Sequence, residues 1–494
     1  MHFTKIRRSL QAIGEPVSSL SIPVKLLKIV SIERTDIARS EGIAVKAHEF
    51  QWDRHPDAEL FILDQLQAMK AINPEIARVN AMLHQITDTR LLDWLDHLVL
   101  HTSDRVSSDL KALGFEIEAE SPGCSIWGHP AALLPRIHLN DAGKTAIGGV
   151  AMRVERIADY LMVHGISRRV EGTPGSSYRR CLIQDAPGAD LWVVERRSHR
   201  VTEPETLAEH DQLLYLNAVD RWKSRPRHGQ SDILVQSTLE LAGTLASELG
   251  PDRAAHAVFE AERAYWESRN AAGQFQKARQ DRIGAGWANH DHHTFRSSRR
   301  HFTTLIRIFE ALGFNRRERY HAGAEAGWGA QVMENRTAGF ALFLDVDLDP
   351  HEIDLDFQSA ELDDKPTLGT VGLWCELHGE SILEAGLHHV AAHVVFDEAL
   401  AHFNQRGVGV MSPFSTFSYL TQAFTKGDRW PVTASRLDRL LADDRIDMAQ
   451  AEKFRLDGAV GSHLELIQRR EGFKGFNQHT VSRIIRDTDP RKPQ

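Results

Sequence analysis

Three side chains of this sequence are candidates for holding a metal ion that takes part in redox chemistry. His292 lies in the segment HDHHTFR, His389 in GLHHVAAHV and Glu465 in SHLELIQRR. Two histidines and one carboxylate on adjacent strands form the facial triad of non-haem Fe(II) oxygenases, which leaves about three coordination positions open for a substrate and O2. His388 and His393 are alternatives for the second ligand.

The segment that begins at His290 is predicted to be a β-strand. Because side chains alternate between the two faces of a strand, one face is expected to carry His292, Thr294 and Arg296, and the other Asp291, His293 and Phe295. A single histidine in such a strand most often has a structural role. The ligand hypothesis depends on the three residues falling at corresponding points of a repeated unit.

That unit recurs four times as a short apolar strand, an amphipathic helix, a glycine turn and further short strands. The interval from strand to glycine is 17 residues for His97 to Gly114, 16 for Gly149 to Gly165, 21 for His292 to Gly313 and 18 for His389 to Gly407. Each glycine suits a left-handed cap at the end of a helix. We therefore predict an α+β fold of β-α-β-β-β modules, which pair to bury their sheet faces.

The first two modules provide an internal control for the metal hypothesis. His97 corresponds to His292, but Gly149 stands where His389 does, and Trp192 stands where Glu465 does. Only one of the three ligands is kept, so we predict no metal site in the first pair of modules and a structural role for His97.

The modules define four predicted regions of the chain. Residues 1–90 form a helical lead-in, 91–200 a module pair without a metal site, 201–285 a helical linker, and 286–494 the catalytic module pair. A helical insert at 433–458 interrupts the fourth module and is interpreted either as a cap over the site or as surface decoration. The basic run RWKSRPR at 221–227 is interpreted as a solvated loop rather than a phosphate site.

Paired modules with this ligand set resemble the vicinal oxygen chelate superfamily. The C-terminal half is similar to the 2-oxoadipate dioxygenase/decarboxylase (2-hydroxyglutarate synthase) family in the stretches DHHTFR, IFEALGFNRRERYHAGAEAGWGAQVME, LFLDVDLDP, WCELHG and YLTQAFT. The last strand and its continuation, LELIQRREGFKGFNQHTVSRIIRDT, resemble 4-hydroxyphenylpyruvate dioxygenase. The order of two module pairs, with the active site in the second, is similar to that enzyme too.

The resemblance implies half-barrel sheets, His292, His389 and Glu465 as ligands of Fe(II), and Arg296 as the residue that binds a substrate carboxylate. It implies a decarboxylating dioxygenase that converts a 2-oxoadipate-like 2-oxo acid and O2 into a 2-hydroxy acid and CO2. A guanidinium can hold a carboxylate with two parallel hydrogen bonds. Gln422, in YLTQAF, is a further candidate for substrate binding.

Other functions remain open at this point. They are a 4-hydroxyphenylpyruvate-type or extradiol ring-cleaving dioxygenase, a metal-dependent isomerase or lyase, and a non-catalytic binding protein of the same fold. For an aromatic substrate, Phe414 and Phe417 in SPFSTFSY could form an apolar wall, although core packing is the alternative role for both. The metal could also be Mn, Co or Zn, because His and Glu bind several divalent ions.

Composition excludes several other classes of protein. The 494 residues are 42% hydrophobic and 26% charged, as in a globular protein, and the net charge of −9 argues against a nucleic-acid partner. No apolar run reaches the length of about 18 residues that predicts a membrane span. Three dispersed cysteines and the lack of a recognisable secretion signal indicate a reduced, cytoplasmic protein. The oligomeric state is not predicted.

Overall fold

The computed structural model describes residues 52–141, 148–322, 326–352, 356, 360–477 and 489–491. All of them belong to one compact unit, Lys46–Gln494. The first 51 residues of the predicted lead-in lie outside the described residues.

Two helices precede the first sheet, as the sequence predicts. They are α1 (Pro56–Ile72) and α2 (Pro74–Thr87), and each has a proline in its first turn, where the missing amide proton costs nothing. The side chain of Asn73 caps α2 by accepting a hydrogen bond from the Glu75 amide at 3.0 Å. One buried face of α2 carries Ile76, Val79 and Leu83.

The first sheet is built from two modules. The first module contains β1 (Leu95–His101), α3 (Asp104–Ala112), β2 (Glu116–Ser121), β3 (Cys124–Gly128) and β4 (Arg136–Asn140). The second contains β5 (Gly149–Arg153), α4 (Ile157–Val163), β6 (Tyr178–Gln184) and β7 (Asp190–Arg196). The strand order is β2-β3-β4-β1-β5-β7-β6, so the modules join through the antiparallel pair β1–β5. The second module has two strands after its helix rather than the predicted three, plus an isolated bridge from Glu171 to Arg180.

Four helices follow: α5 (Glu209–Ser224), α6 (Ser231–Leu249), α7 (Pro251–Glu267) and α8 (Ala271–Asp281). The prediction of a solvated basic loop at 221–227 is wrong for two of its arginines. Arg225 and Arg227 are buried and both pair with the buried carboxylate of Glu262, at 2.6 and 2.9 Å. They also donate to the carbonyl oxygens of Ile382 and Leu383. These contacts join the helical segment to the chain that leads into the fourth module.

The second sheet repeats the arrangement of the first. Its third module contains β8 (His290–Arg296), α9 (Phe302–Ala311), β9 (Asn315–His321), β10 (Trp328–Asn335) and β11 (Phe340–Asp347). Helix α10 (Thr370–His378) leads to the fourth module, which begins with β12 (His389–His393), α11 (Phe396–Gln405), β13 (Ser415–Phe417) and β14 (Leu420–Phe424). The insert follows as β15 (Arg429–Trp430), α12 (Ala434–Ala442), α13 (Met448–Asp457) and β16 (Ala459–Val460), and β17 (His463–Arg469) completes the module.

The order of the second sheet is β13-β14-β17-β12-β8-β11-β10-β9, with β8 and β12 as the central antiparallel pair. The glycines after the four module helices, Gly114, Gly165, Gly313 and Gly407, all have positive φ, between 61° and 87°. This confirms the predicted left-handed caps. The apolar face of α9 packs into the main core through Phe302, Leu305 and Phe309.

The α+β fold of paired modules predicted from the sequence is therefore confirmed. Both sheets pair their modules through the first strand of each, so equivalent residues can be matched by register. None of the described helices is long and apolar enough to cross a membrane.

Candidate metal centre

Strand register places the three predicted ligands on three neighbouring strands. Strand β12 lies between β8 and β17, and His389 pairs with Thr294 on one side and with His463 on the other. Glu465 pairs with Ala391, two residues after His389. His292, His389 and Glu465 consequently meet at the centre of the sheet.

The ligand atoms lie close together and away from solvent. Nε2 of His292 is 3.2 Å from Oε2 of Glu465, Nε2 of His389 is 3.1 Å from the same oxygen, and the two Nε2 atoms are 3.4 Å apart. The three residues are 2%, 6% and 1% exposed. In the described part of the chain no other group of three histidine, cysteine or acidic side chains converges in this way.

These distances fit a single small ion. Two ligand atoms about 2.1 Å from a metal and at right angles to each other lie about 3 Å apart. The three observed separations are close to that value, so the donors have the arrangement of one triangular face of an octahedron.

The structure distinguishes His389 from the two alternatives for the second ligand. His388 lies behind His389, with its Nδ1 3.0 Å from that of His389 and its ring edge-on to Trp374. His393 instead contacts Asp291, with Nε2 3.1 Å from Oδ2. Only His389 brings its Nε2 to the other two ligands.

Asp291 supports the centre, a role that the alternation of strand faces did not predict. Its Oδ1 lies 2.7 Å from Nδ1 of His292, and Arg469 donates to both of its oxygens at 2.5 and 3.0 Å. The pairing of β8 with β12 shifts register between Val390 and Ala392. The partners on β8 pass from His293 to His290, so this bulge falls at Asp291 and His292, where regular alternation is interrupted. The sequence signal was the Asp-His pair itself.

Burial and neighbouring charges shift the pKa values of all three candidate ligands. Burial alone would lower the pKa of His292, but the carboxylates of Glu465 and Asp291 raise it to about 9. Burial would raise the pKa of Glu465, but the two histidines lower it to about 2. Burial lowers the pKa of His389 to about 4. These shifts favour a charged His292 beside an ionised Glu465 and a neutral His389. Nε2 of His389 lies 2.9 Å from the Thr294 hydroxyl.

Gln422 lies beside the centre, on β14. Its amide nitrogen Nε2 donates to Oε1 of Glu465 at 2.7 Å, which orients the carboxylate so that Oε2 faces the histidines. Gln422 also lines the adjoining cavity. The predicted role in substrate binding stays a prediction.

A cavity of about 60 Å³ adjoins the three ligands, and six of its thirteen lining residues are phenylalanine, tyrosine or tryptophan. The aromatic lining residues are Tyr320, Trp328, Phe343, Phe414, Phe424 and Phe476. Phe414 lines the cavity, as an aromatic wall requires. Phe417 is not among the lining residues and stacks on Tyr419, with ring centroids 5.3 Å apart.

Arg296 is buried on the same strand as His292 but is not among the residues that line this cavity. Its Nε is 3.9 Å from Oδ2 of Asp345, and its guanidinium lies 5.5 Å from the centre of the Trp374 ring. Asp345 does line the cavity. The contact of Arg296 with a substrate carboxylate stays a prediction. In this structure the charged group between Arg296 and the cavity is Asp345.

The first sheet pairs its strands at the positions that correspond to the metal centre of the second sheet. Val99 pairs with Gly149 where Thr294 pairs with His389, and Ala151 pairs with Trp192 where Ala391 pairs with Glu465.

Comparison with known proteins gives matches at the level of solved structures. No protein-family model matches the chain, and no curated protein does. A mutant of 4-hydroxymandelate synthase from Streptomyces coelicolor is similar at 11% identity, over 81% of this chain and 98% of its own, with a TM-score of 0.26. A xylose isomerase-like TIM barrel/4-hydroxyphenylpyruvate dioxygenase fusion protein is 10% identical, over 87% of this chain and 57% of its own, with a TM-score of 0.22.

A 2,3-dioxygenase from Pseudomonas sp. KL28 is 9% identical, over 78% of this chain and 93% of its own, with a TM-score of 0.18. Likenesses this low carry no argument about activity. The strand order and register of the two sheets establish the fold itself, a pair of sheets built from β-α-β-β-β modules.

Proposed function

We propose that this protein is a non-haem Fe(II) dioxygenase that acts on a 2-oxo acid with loss of CO2. The observation that carries the proposal is the convergence of His292, His389 and Glu465, at 3.1–3.4 Å, beside a buried cavity. Fe(II) held by such a triad keeps positions open to chelate a 2-oxo acid and to activate O2.

The chain's own groups would prepare this site in three ways. Asp291 accepts the Nδ1 proton of His292, which leaves the Nε2 lone pair directed at the metal position. Gln422 holds one oxygen of Glu465, so the other is available as a ligand. The aromatic side chains around the cavity would limit the water that reaches a bound substrate, which would strengthen electrostatic contacts inside.

A second candidate substrate class is favoured by one observation. Six aromatic side chains line the cavity, and flat rings pack well against such walls. An aryl 2-oxo acid of the 4-hydroxyphenylpyruvate type therefore fits the lining better than the linear 2-oxoadipate that the sequence resemblance implies.

The test is O2 uptake by protein loaded with Fe(II) under anaerobic conditions, with 2-oxoadipate, 2-oxoglutarate, phenylpyruvate and 4-hydroxyphenylpyruvate. We expect uptake with at least one acid, matched by an equal release of CO2, and no uptake by a Glu465→Gln variant. His97→Ala, in the equivalent position of the first sheet, is the matched control and should behave as the wild type.

Each alternative predicts a different result. Uptake without CO2, together with a yellow product from catechols, would indicate extradiol cleavage. Turnover that needs metal but consumes no O2 would indicate an isomerase or lyase. Failure to bind any divalent ion would leave a small-molecule binding protein.

A further inference from the structure

Polar atoms without partners face the cavity beside the metal centre. Among the described residues, Nε1 of Trp328, Oε1 of Gln422 and Oδ1 of Asp345 are buried and make no hydrogen bond. All three side chains line the same cavity. Leaving a buried polar group unpaired is unfavourable, so three in one small cavity indicate a ligand that supplies the missing partners.

Asp345 is the charged member of this set, and its position is fixed by the sheet. It pairs with Arg296 across β8 and β11 and with Ala330 across β10 and β11. It is 3% exposed, and one of its oxygens is 3.9 Å from Nε of Arg296. That separation is too long for a hydrogen bond, and Nε of Arg296 has no other partner in the described residues.

The two residues form a loose ion pair whose acidic half faces the cavity. Asp345 lines the cavity and Arg296 does not. Arg296 could attract a second carboxylate of the substrate, but its positive charge is offset by Asp345, which lies nearer to the cavity. A carboxylate at the far end of a substrate would meet a like charge in a medium of low dielectric constant, where repulsion is strong.

We propose that Asp345 selects substrates whose far end is uncharged and carries a hydrogen-bond donor such as a hydroxyl group. The inference rests on the 2-oxo acid function proposed above and concerns the end of the molecule away from its 2-oxo carboxylate. Oδ1 of Asp345 accepts the donor, and Arg296 remains its counter-ion. A dicarboxylic acid of the same length is bound less tightly.

The protonation state of Asp345 sets the conditions of the test. Burial raises its pKa to about 7, although Arg296 and His292 act to lower it. Measurements at pH 8 keep the carboxylate ionised in the free protein.

Two probes of equal length isolate the far end: 6-hydroxy-2-oxohexanoate and 2-oxoadipate. Their affinities are measured by anaerobic calorimetry on Fe(II)-loaded protein, and their kcat/KM by O2 uptake. We expect the wild type to favour the hydroxy acid by about tenfold or more, the value of one hydrogen bond to a charged group. Asp345→Asn should reverse this preference toward 2-oxoadipate, because Arg296 loses its counter-ion.

Asp347→Asn is the matched control. Asp347 is buried two residues along the same strand, where it accepts the backbone amides of Gly369, Val371 and Gly372, and it does not line this cavity. Asp347→Asn should lower the unfolding temperature and change the preference much less than Asp345→Asn, because Asp347 also acts on Arg296 but does not face the cavity.

Equal affinity of the wild type for both probes, or no binding of either, would overturn the selection by Asp345. The same holds if Asp345→Asn folds, as judged by its unfolding temperature, and keeps the wild-type ratio. If that variant does not fold, the wild-type ratio alone decides. A clear binding preference without O2 uptake would contradict the proposed dioxygenase function and leave the selection intact.

Discussion

The two sheets keep the same supporting frame around a histidine, but only one of them has the remaining ligands. In the first sheet, Nδ1 of His97 is 2.7 Å from Asp96, which pairs with Arg196 at 2.9 Å. In the second, Nδ1 of His292 is 2.7 Å from Asp291, which pairs with Arg469. The strand register makes the members of the two frames equivalent.

The frames differ at the positions that would complete a metal site. Gly149 and Trp192 occupy the places of His389 and Glu465. At the place of Gln422, Arg180 lies over the Trp192 ring, 4.9 Å from its centre. An Asp-His-Arg frame is therefore present in both sheets as a structural device, and we propose that it supports a metal only where the adjacent strands supply two more donors.

The largest expected effect comes from removing a ligand in the second sheet. His389→Ala and Glu465→Gln should each lower Fe(II) affinity and turnover by more than about a hundredfold, which exceeds the usual effect of losing a supporting residue. His389→Ala removes no charged group and should change the urea unfolding curve little, whereas Glu465→Gln leaves the buried His292 without that carboxylate and should also lower the free energy of unfolding. Metal content and O2 uptake measure the loss.

His97→Ala is the counterpart in the first sheet and should keep one metal ion per chain and full turnover. A drop in metal content in this variant would show that the first sheet also takes part in metal binding, contrary to the proposal.

The frame itself gives the next effect. Asp291→Asn and Asp96→Asn each leave a buried arginine without its counter-ion, so both should lower the free energy of unfolding by about 3–5 kcal/mol. Only Asp291→Asn should also lower metal affinity, by about 10–100-fold, because it alone supports a ligand. Urea denaturation and competition with a metal chelator separate the two quantities. Equal metal affinity in both variants would remove the role assigned to Asp291.

Adding the missing donors to the first sheet tests whether the frame is sufficient. We expect the double variant Gly149→His, Trp192→Glu to bind no second metal ion. A Cβ at position 149 would lie 2.7 Å from the carbonyl oxygen of Asp190, so the strand must shift, at a cost of about 1–3 kcal/mol. Metal analysis and thermal unfolding check both parts. Two ions per chain would show that the identity of these two side chains alone decides which sheet binds a metal.

Sequence reasoning predicted most of the architecture because its signals were local and repeated. Gly114, Gly165, Gly313 and Gly407 marked the ends of the module helices, and the four helices aligned the strands that follow. The convergence of His292, His389 and Glu465 followed from the same alignment. The prediction of a third strand after the helix of the second module was wrong, because an isolated bridge at Glu171 stands in its place.

What the sequence did not predict depends on contacts between distant segments. The basic run does not reveal that Arg225 and Arg227 are buried, because their partner, Glu262, is more than 30 residues away. The sequence does not predict the contact of Asp291 with His292, because a bulge depends on how two strands pair. The position of Asp345 between Arg296 and the cavity likewise requires the register of β8 with β11.

The smallest expected effect concerns Gln422 and its counterpart Arg180. Gln422→Leu removes one hydrogen bond to Glu465, so Fe(II) affinity should fall by about tenfold. Arg180→Leu should leave metal affinity unchanged, since Arg180 is partnered with Trp192 and Glu171 and not with a ligand. At saturating Fe(II), the KM of Gln422→Leu for a 2-oxo acid should still rise a fewfold, because Oε1 of Gln422 faces the cavity without a partner in the described residues. An unchanged KM would restrict Gln422 to orienting Glu465, and an unchanged metal affinity would restrict it to the substrate.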